Sequence, residues 1–153
     1  MRLVIQRCRE ASVAIGGVQV SAIPSGMLVL VGVEDADSDE DIEWLCHKVV
    51  QMRIFDDAQG VMNLPITALP DGGILVVSQF TLMASTRKGN RPSYVHASRP
   101  DFAIPMYEKF VARLSELFGR QVATGRFGAD MQVSLVNDGP VTIIMDSHLR
   151  ERF

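Results

Sequence analysis

Cysteine and histidine are scarce, at two and three among 153 residues. Cys8 and Cys46 form neither a disulfide framework nor a metal-ligand spacing, and they read as reduced core thiols of a cytoplasmic protein. His47, His96 and His148 stand far apart without ligand partners at metal spacing, so neither a metal nor another cofactor is expected. No apolar run reaches the length of a membrane span. The start, MRLVIQRCRE, alternates and carries charge, unlike a signal peptide. Glycine-rich phosphate loops are missing, and so is a Gly-x-Ser-x-Gly elbow. A Ser/His/Asp triad would have only three scattered histidines to draw on. One absence is local: from Gly72 to Pro100 there is no carboxylate, while Arg87, Lys88, Arg91 and Arg99 all fall there. The whole chain carries a net charge of −3, which is no general nucleic-acid signature. It is a basic segment on a mildly acidic protein, and a solvated loop explains it equally well.

What is present suits one globular domain, expected to span residues 1–153, with 47% hydrophobic and 22% charged residues. Arg2–Arg9 alternates, and Ala11–Ile15, Gly16-Gly17 and Val18–Ile23 read as strand, turn, strand. Met27–Val33 is nearly all apolar, which predicts a strand covered on both faces. Ser38 opens a helix, with Asp41 in a capping-box position and Ile42, Leu45, Val49 and Met52 on the buried face. Trp44 lies near that stripe and reads as core or interface. Arg53–Phe55 reads as a short strand and Ile74–Phe80 as a buried one, with the polar segment Ala84–Arg99 after it. Pro100–Phe118 forms the second helix, with Phe102, Met106, Phe110, Leu114 and Leu117 on one face and Gly119 ending it. Gln121–Thr124 is a further short strand. Many strands and two helices predict a mixed α/β fold: two packed, barrel-like β-sheets with both main helices on one outer side.

The stretch Val133–Asp146 stands out. Two apolar runs flank Asn137-Asp138-Gly139-Pro140, a sequence that suggests a hairpin turn. Pro140 has no N–H to close a tight turn, so the chain should open there and leave main-chain groups bare. Gly139 lets another molecule approach that backbone closely. An ordinary wide loop is the simpler reading. A second polar cluster, Ser78, Gln79 and Thr81, sits where a buried strand should finish, a common place for a site. Its hydroxyls suit a nucleophile, a hydrogen-bond donor or mere backbone satisfaction, and the residues alone favour the last.

Five strings, in order, carry more than any of them does singly: MRLVIQR at the start, MRIF at 52–55, SQFTL at 78–82, RKGNRPS at 87–93 and TGRFGADMQVSLVNDGPVT at 124–142. With them the chain, from Met1 to about Ser147, resembles the D-aminoacyl-tRNA deacylases of the bacterial and eukaryotic type. The tail from His148 lies outside the pattern. The resemblance implies a cytoplasmic homodimer that hydrolyses the ester between a D-amino acid and the 3′ adenosine of tRNA, without a metal. It implies that Gly139-Pro140 is a Gly-cisPro element, inserted from one subunit into the active site of the other as a filter of chirality. Ser78, Gln79, Phe80 and Thr81 would line the opposite, catalytic wall. Arg7 would brace the Gly-Pro element, and Phe127 and Met131 would hold the terminal adenosine.

Two mechanisms go with such a site: Thr81 as nucleophile, or activation by the substrate's own ribose 2′-hydroxyl. A threonine nucleophile wants a base beside it, and the SQFTL stretch offers none. That favours the second, with Thr81 positioning and main-chain N–H groups near Phe80 and Thr81 holding the oxyanion. Arg87, Lys88 and Arg91 would then contact tRNA phosphates without reading sequence. A backbone filter cannot reject glycine, so Gly-tRNA should also be a substrate. The rival readings are a non-catalytic module binding the tRNA 3′ end, with Phe127 stacking a base, and a small-molecule esterase using Thr81.

Overall fold

The long first strand organises the fold of this computed structural model, which describes residues 1–151. β1 runs unbroken over Arg2–Ile15 and turns back at Gly16-Gly17, both at positive φ (58° and 79°), into β2, Val18–Ile23. β3, Gly26–Gly32, returns antiparallel to the first half of β1, from Arg2↔Gly32 to Cys8↔Gly26. α1 covers Asp39–Gln51, and the pair β4 (Phe55–Asp56) and β5 (Met62–Leu64) makes a small second sheet. β6, Gly73–Ser78, lies parallel to β3. α2 covers Pro100–Phe118, after which β7, Ala123–Thr124, adds parallel to β6. β8, Gln132–Asp146, pairs antiparallel with β1 along its other edge and joins β1, β2, β3, β6 and β7 in a six-stranded sheet.

Alternation along the central strands explains their continuous apolar runs. Met27, Val29 and Val31 of β3 and Ile74 and Val76 of β6 face one core; Leu28 and Leu75 with Val77 face another. The first core receives Ile42, Leu45 and Val49 of α1 and Met106, Phe110 and Leu114 of α2, so both helices cover the same side of the sheet, as expected. The second gathers Cys8, Ala11, Val13 and Ile23 with Leu28 and Leu75, where the sheet curls toward itself. The barrel-like character therefore comes from one curled sheet, and the second sheet is only β4 and β5. Cys8 and Cys46 are free and buried, and burial pushes their thiols up to about 11 and about 12 respectively, which keeps them protonated and inert at neutral pH. Among the described residues, no helix is long and apolar enough to cross a membrane.

The helix limits follow their caps. Asp41 Oδ2 accepts from the Ser38 backbone N–H at 2.8 Å, the return half of the expected capping box. Pro100 sits at the first position of α2, and Gly119 ends it at φ 73°. The buried face of α2 differs from the expected one in part. Ala103, Tyr107 and Phe118 join Met106, Phe110 and Leu114, whereas Phe102 is exposed and Leu117 only partly buried. Tyr107 is admitted because its hydroxyl donates to the Val76 carbonyl at 3.1 Å. Trp44 packs on the edge of the first core, with Lys48 and Arg150 over its ring.

β4 begins at Phe55 instead of Arg53 and β7 at Ala123 instead of Gln121, and two further strand limits bear on the site. β6 stops at Ser78, and Phe80–Met83 forms a 3₁₀ turn. β8 continues through Asn137–Pro140 without a reversal: the two apolar runs are halves of one strand, both on β1. The main chain does open there. Between Gln6↔Thr142 and Cys8↔Asn137, four residues of β8 (Asp138, Gly139, Pro140 and Val141) stand against one residue of β1, Arg7. The feature is a wide bulge in a ladder, so the turn signal marks an interruption of pairing and not its end.

Candidate active site

The end of β6, the 3₁₀ turn and the loop before β8 enclose a cleft of about 510 Å³. Ser78, Gln79 and Phe80 form one wall; Phe127, Gly128, Ala129, Asp130 and Met131 form the other. The turn is fixed from both sides. The Gln79 N–H donates to the Val31 carbonyl at 2.7 Å, and Arg2 Nη1 donates to the Leu82 carbonyl at 2.7 Å while Asp146 holds the same guanidinium. Its first i→i−3 bond runs from Leu82 N–H to Gln79 O at 3.1 Å. The N–H groups of Phe80 and Thr81 precede that bond and are left over by it. Thr81 Oγ1 accepts from the side-chain amide of Gln79, which is no base.

The opposite wall rests on the main core. The Phe127 ring meets Tyr107 edge to face at 5.9 Å. The Met131 sulfur accepts from the Arg126 N–H at 3.4 Å, and a Cβ on Gly125 would lie 2.5 Å from it, so glycine at 125 makes room for this side chain. The cleft is open and partly apolar, and its size falls within the range of small-ligand pockets.

The bulge lies elsewhere on the chain. Arg7, buried to 8% exposure, donates from Nε to the Asp138 carbonyl at 3.1 Å and from Nη1 to the Ile54 carbonyl at 2.7 Å. It also faces the carboxylates of Asp56 at 3.2 Å and Asp138 at 3.4 Å. Asn137 Nδ2 donates to the carbonyls of Arg7 and Val141 at 2.9 and 3.0 Å, which ties both rims of the bulge. Gly139 has φ 118°, and its bond to Pro140 is cis. Both residues are exposed, and neither lines the cleft of its own chain.

A family model described as D-Tyr-tRNA(Tyr) deacylase matches residues 4–146. The chain belongs to this family. It is 60% identical over 151 residues to a D-aminoacyl-tRNA deacylase of Flavobacterium johnsoniae, covering 99% of this chain and 100% of that one. A D-aminoacyl-tRNA deacylase of Bacteroides thetaiotaomicron is 58% identical over 152 residues, with 99% and 100% covered. Among solved structures, a c-Myc DNA unwinding element binding protein superposes with a TM-score of 0.89 at 37% identity, over 95% of this chain and 98% of that one. A probable eukaryotic D-amino acid tRNA deacylase superposes with a TM-score of 0.80 at 18% identity, over 94% and 97%, a likeness of fold.

Against the residues expected from sequence, the family member's single chain brings together Ser78, Gln79, Phe80, Phe127 and Met131 in the cleft, with Thr81 on the adjoining turn. It gathers Arg7, Gly139 and Pro140 at the bulge. Arg87, Lys88 and Arg91 are exposed and, among the described residues, enter no ion pair; their loop is pinched by main-chain bonds between Ser85 and Ser93 and returns to the cleft at Ser98. Sequence reasoning missed Asp130, a carboxylate on the cleft wall, although it stands next to Met131 in the string that carries the resemblance. It also missed Asn137, whose amide closes the bulge. His148 has no ligand partner at metal spacing in the sequence, but the fold sets its Nε2 2.8 Å from Asp37 Oδ1, with Glu34 nearby, a proximity that linear spacing hides. The Met1 amine also bonds Asp37, so that carboxylate is already balanced by charge from the chain itself.

Proposed function

We propose that this chain, acting as one domain over residues 1–153, hydrolyses the ester of D-aminoacyl-tRNA to free tRNA and a D-amino acid. It does so in the cytoplasm as a homodimer whose clefts are completed across the interface. The observation that carries this reading is the separation of two family elements: the cleft with Ser78–Phe80, Phe127 and Met131, and the exposed Gly139-Pro140 bulge that does not reach it. A second copy, bringing its bulge to the first copy's cleft, unites them.

Phe127 and Met131 hold the terminal adenosine, so that the aminoacyl ester lies along the Ser78–Thr81 wall. Water adds to the ester carbonyl with the ribose 2′-hydroxyl assisting. The N–H groups of Phe80 and Thr81 hold the oxyanion, and its collapse releases the 3′ oxygen, which takes up a proton. Because Thr81 Oγ1 is engaged by an amide and not by a base, its part is positioning. The partner subunit's bulge presents main chain to the α-carbon, where an L side chain collides and a D side chain or a hydrogen does not. No cofactor enters this scheme.

The test is one assay of ester loss on D-Tyr-, L-Tyr- and Gly-tRNA with the same enzyme. D-Tyr-tRNA and Gly-tRNA are expected to be cleared and L-Tyr-tRNA spared. Binding without turnover would favour a non-catalytic 3′-end module. Cleavage of free amino-acid esters as fast as the tRNA substrate would favour a simple esterase.

Thr81→Ala should keep substantial turnover in a folded protein. A fall of roughly a million-fold, the scale for removing a true nucleophile, would reject the positioning role. Replacing Arg87, Lys88 and Arg91 with Gln should raise KM for aminoacyl-tRNA and flatten its dependence on salt, with little change in kcat. An unchanged salt slope would reduce that loop to solvated surface.

A further inference from the structure

Phe80 and Tyr94 leave 56% and 41% of their surfaces exposed, although their rings meet edge to face with centroids 5.1 Å apart. Phe80 lines the cleft and Tyr94 does not, so the pair leads from the cavity outward. Tyr94 follows directly on Ser93, whose N–H and carbonyl bond Ser85 at 2.9 and 2.7 Å. Those two bonds close the base of the loop that carries Arg87, Lys88 and Arg91. An aromatic pair therefore sits at the root of a cationic loop, in a segment from Gly72 to Pro100 that has no carboxylate of its own.

That combination complements one class of ligand. Single-stranded nucleic acid offers flat bases that stack on exposed rings and phosphates that need cations, and such stacking tolerates any base. We infer that Phe80 and Tyr94 form a stacking platform for the nucleotide that precedes the terminal adenosine, with its phosphate toward Arg87, Lys88 and Arg91. This rests on the proposed function and extends it. The adenosine occupies the cleft against Phe127 and Met131, and the next base emerges over the aromatic pair. Tyr94 touches no reacting atom in this arrangement; its ring adds affinity for the strand and none for the ester.

The test uses two probes that cannot be hydrolysed: adenosine carrying D-tyrosine through a 3′-amide, and the same unit at the end of the tetranucleotide ACCA. Dissociation constants are measured by calorimetry for the unsubstituted chain, Tyr94→Leu and Tyr94→Phe. The tetranucleotide should bind the unsubstituted chain more tightly than the nucleoside does. Tyr94→Leu should lose about ten-fold of that gain, and Tyr94→Phe should retain it. An undiminished gain in Tyr94→Leu overturns the platform. So does an equal loss with the single nucleoside, which would put Tyr94 inside the terminal pocket. A shift of Tyr94→Leu to monomer in sedimentation would make the pair a contact between copies and also overturn it. Because the probes keep their linkage, the expected affinity pattern beside failed D-Tyr-tRNA hydrolysis refutes the proposed turnover and supports the platform. Failure of the affinity pattern beside intact hydrolysis refutes the platform alone.

Discussion

Gly139→Ala should reduce kcat/KM for D-Tyr-tRNA by at least about a hundred-fold, the scale expected when a site is displaced by roughly an ångström. The added methyl would lie 2.9 Å from Arg7 Nη2 and 3.0 Å from Val141 Cγ2, at a φ of 118° that L side chains rarely adopt. Either the Arg7 guanidinium moves off the Asp138 carbonyl or the bulge changes shape, and both displace the main chain proposed to face the substrate. Backbone strain of this kind costs on the order of 1–3 kcal/mol, so the variant should melt at a lower temperature yet remain folded. Turnover near that of the unsubstituted enzyme, with Gly-tRNA and D-Tyr-tRNA alike, would remove the bulge from the site.

Mixing two defective chains should restore activity. Phe127→Ala spoils the cleft and leaves the bulge; Gly139→Ala spoils the bulge and leaves the cleft. If each cleft is completed by the other copy, a mixed dimer holds one intact site, and random exchange should recover about a quarter of full activity, from half the dimers with one of two sites each. Among the described residues β8 pairs only with β1, so its outer edge, with Val136 and Ile144 each 47% exposed, is one surface open to such pairing. Activity that stays at the sum of the two separate variants after subunit exchange, checked by native mass spectrometry, would mean that each chain completes its own site.

Which features could be read beforehand depended on whether their cause was local. The limits of α2 are legible because Pro100 and Gly119 act within one turn of the chain. β3 and β6 are legible because burial on both faces leaves an unbroken apolar run. Spacing alone puts Phe102 on the buried face of α2, but the carbonyl of Val76 that lets Tyr107 go inside belongs to another element. At Asn137–Pro140 the opening of the main chain is legible from Pro140, but the turn residues also suggest a reversal, because the β1 partner that keeps the stretch in a ladder is far away in sequence. The cleft residues were found through the resemblance, since Ser78 and Thr81 alone favoured a structural role. Asp130 stands inside a family string without a role there, Tyr94 falls just outside one, and only the fold sets both beside the cleft.

The union of β1 with β8 has a consequence for synthesis of the chain. β1 leaves the ribosome before the other strands described and gains β2 and β3 soon after, yet its remaining edge is closed only when residues 132–146 arrive. Until then a 14-residue strand shows bare amides and carbonyls along one side, a template for pairing with other nascent chains. Proteins truncated before Gln132 should accordingly collect in inclusion bodies, and a translational pause ahead of that codon would prolong the exposure.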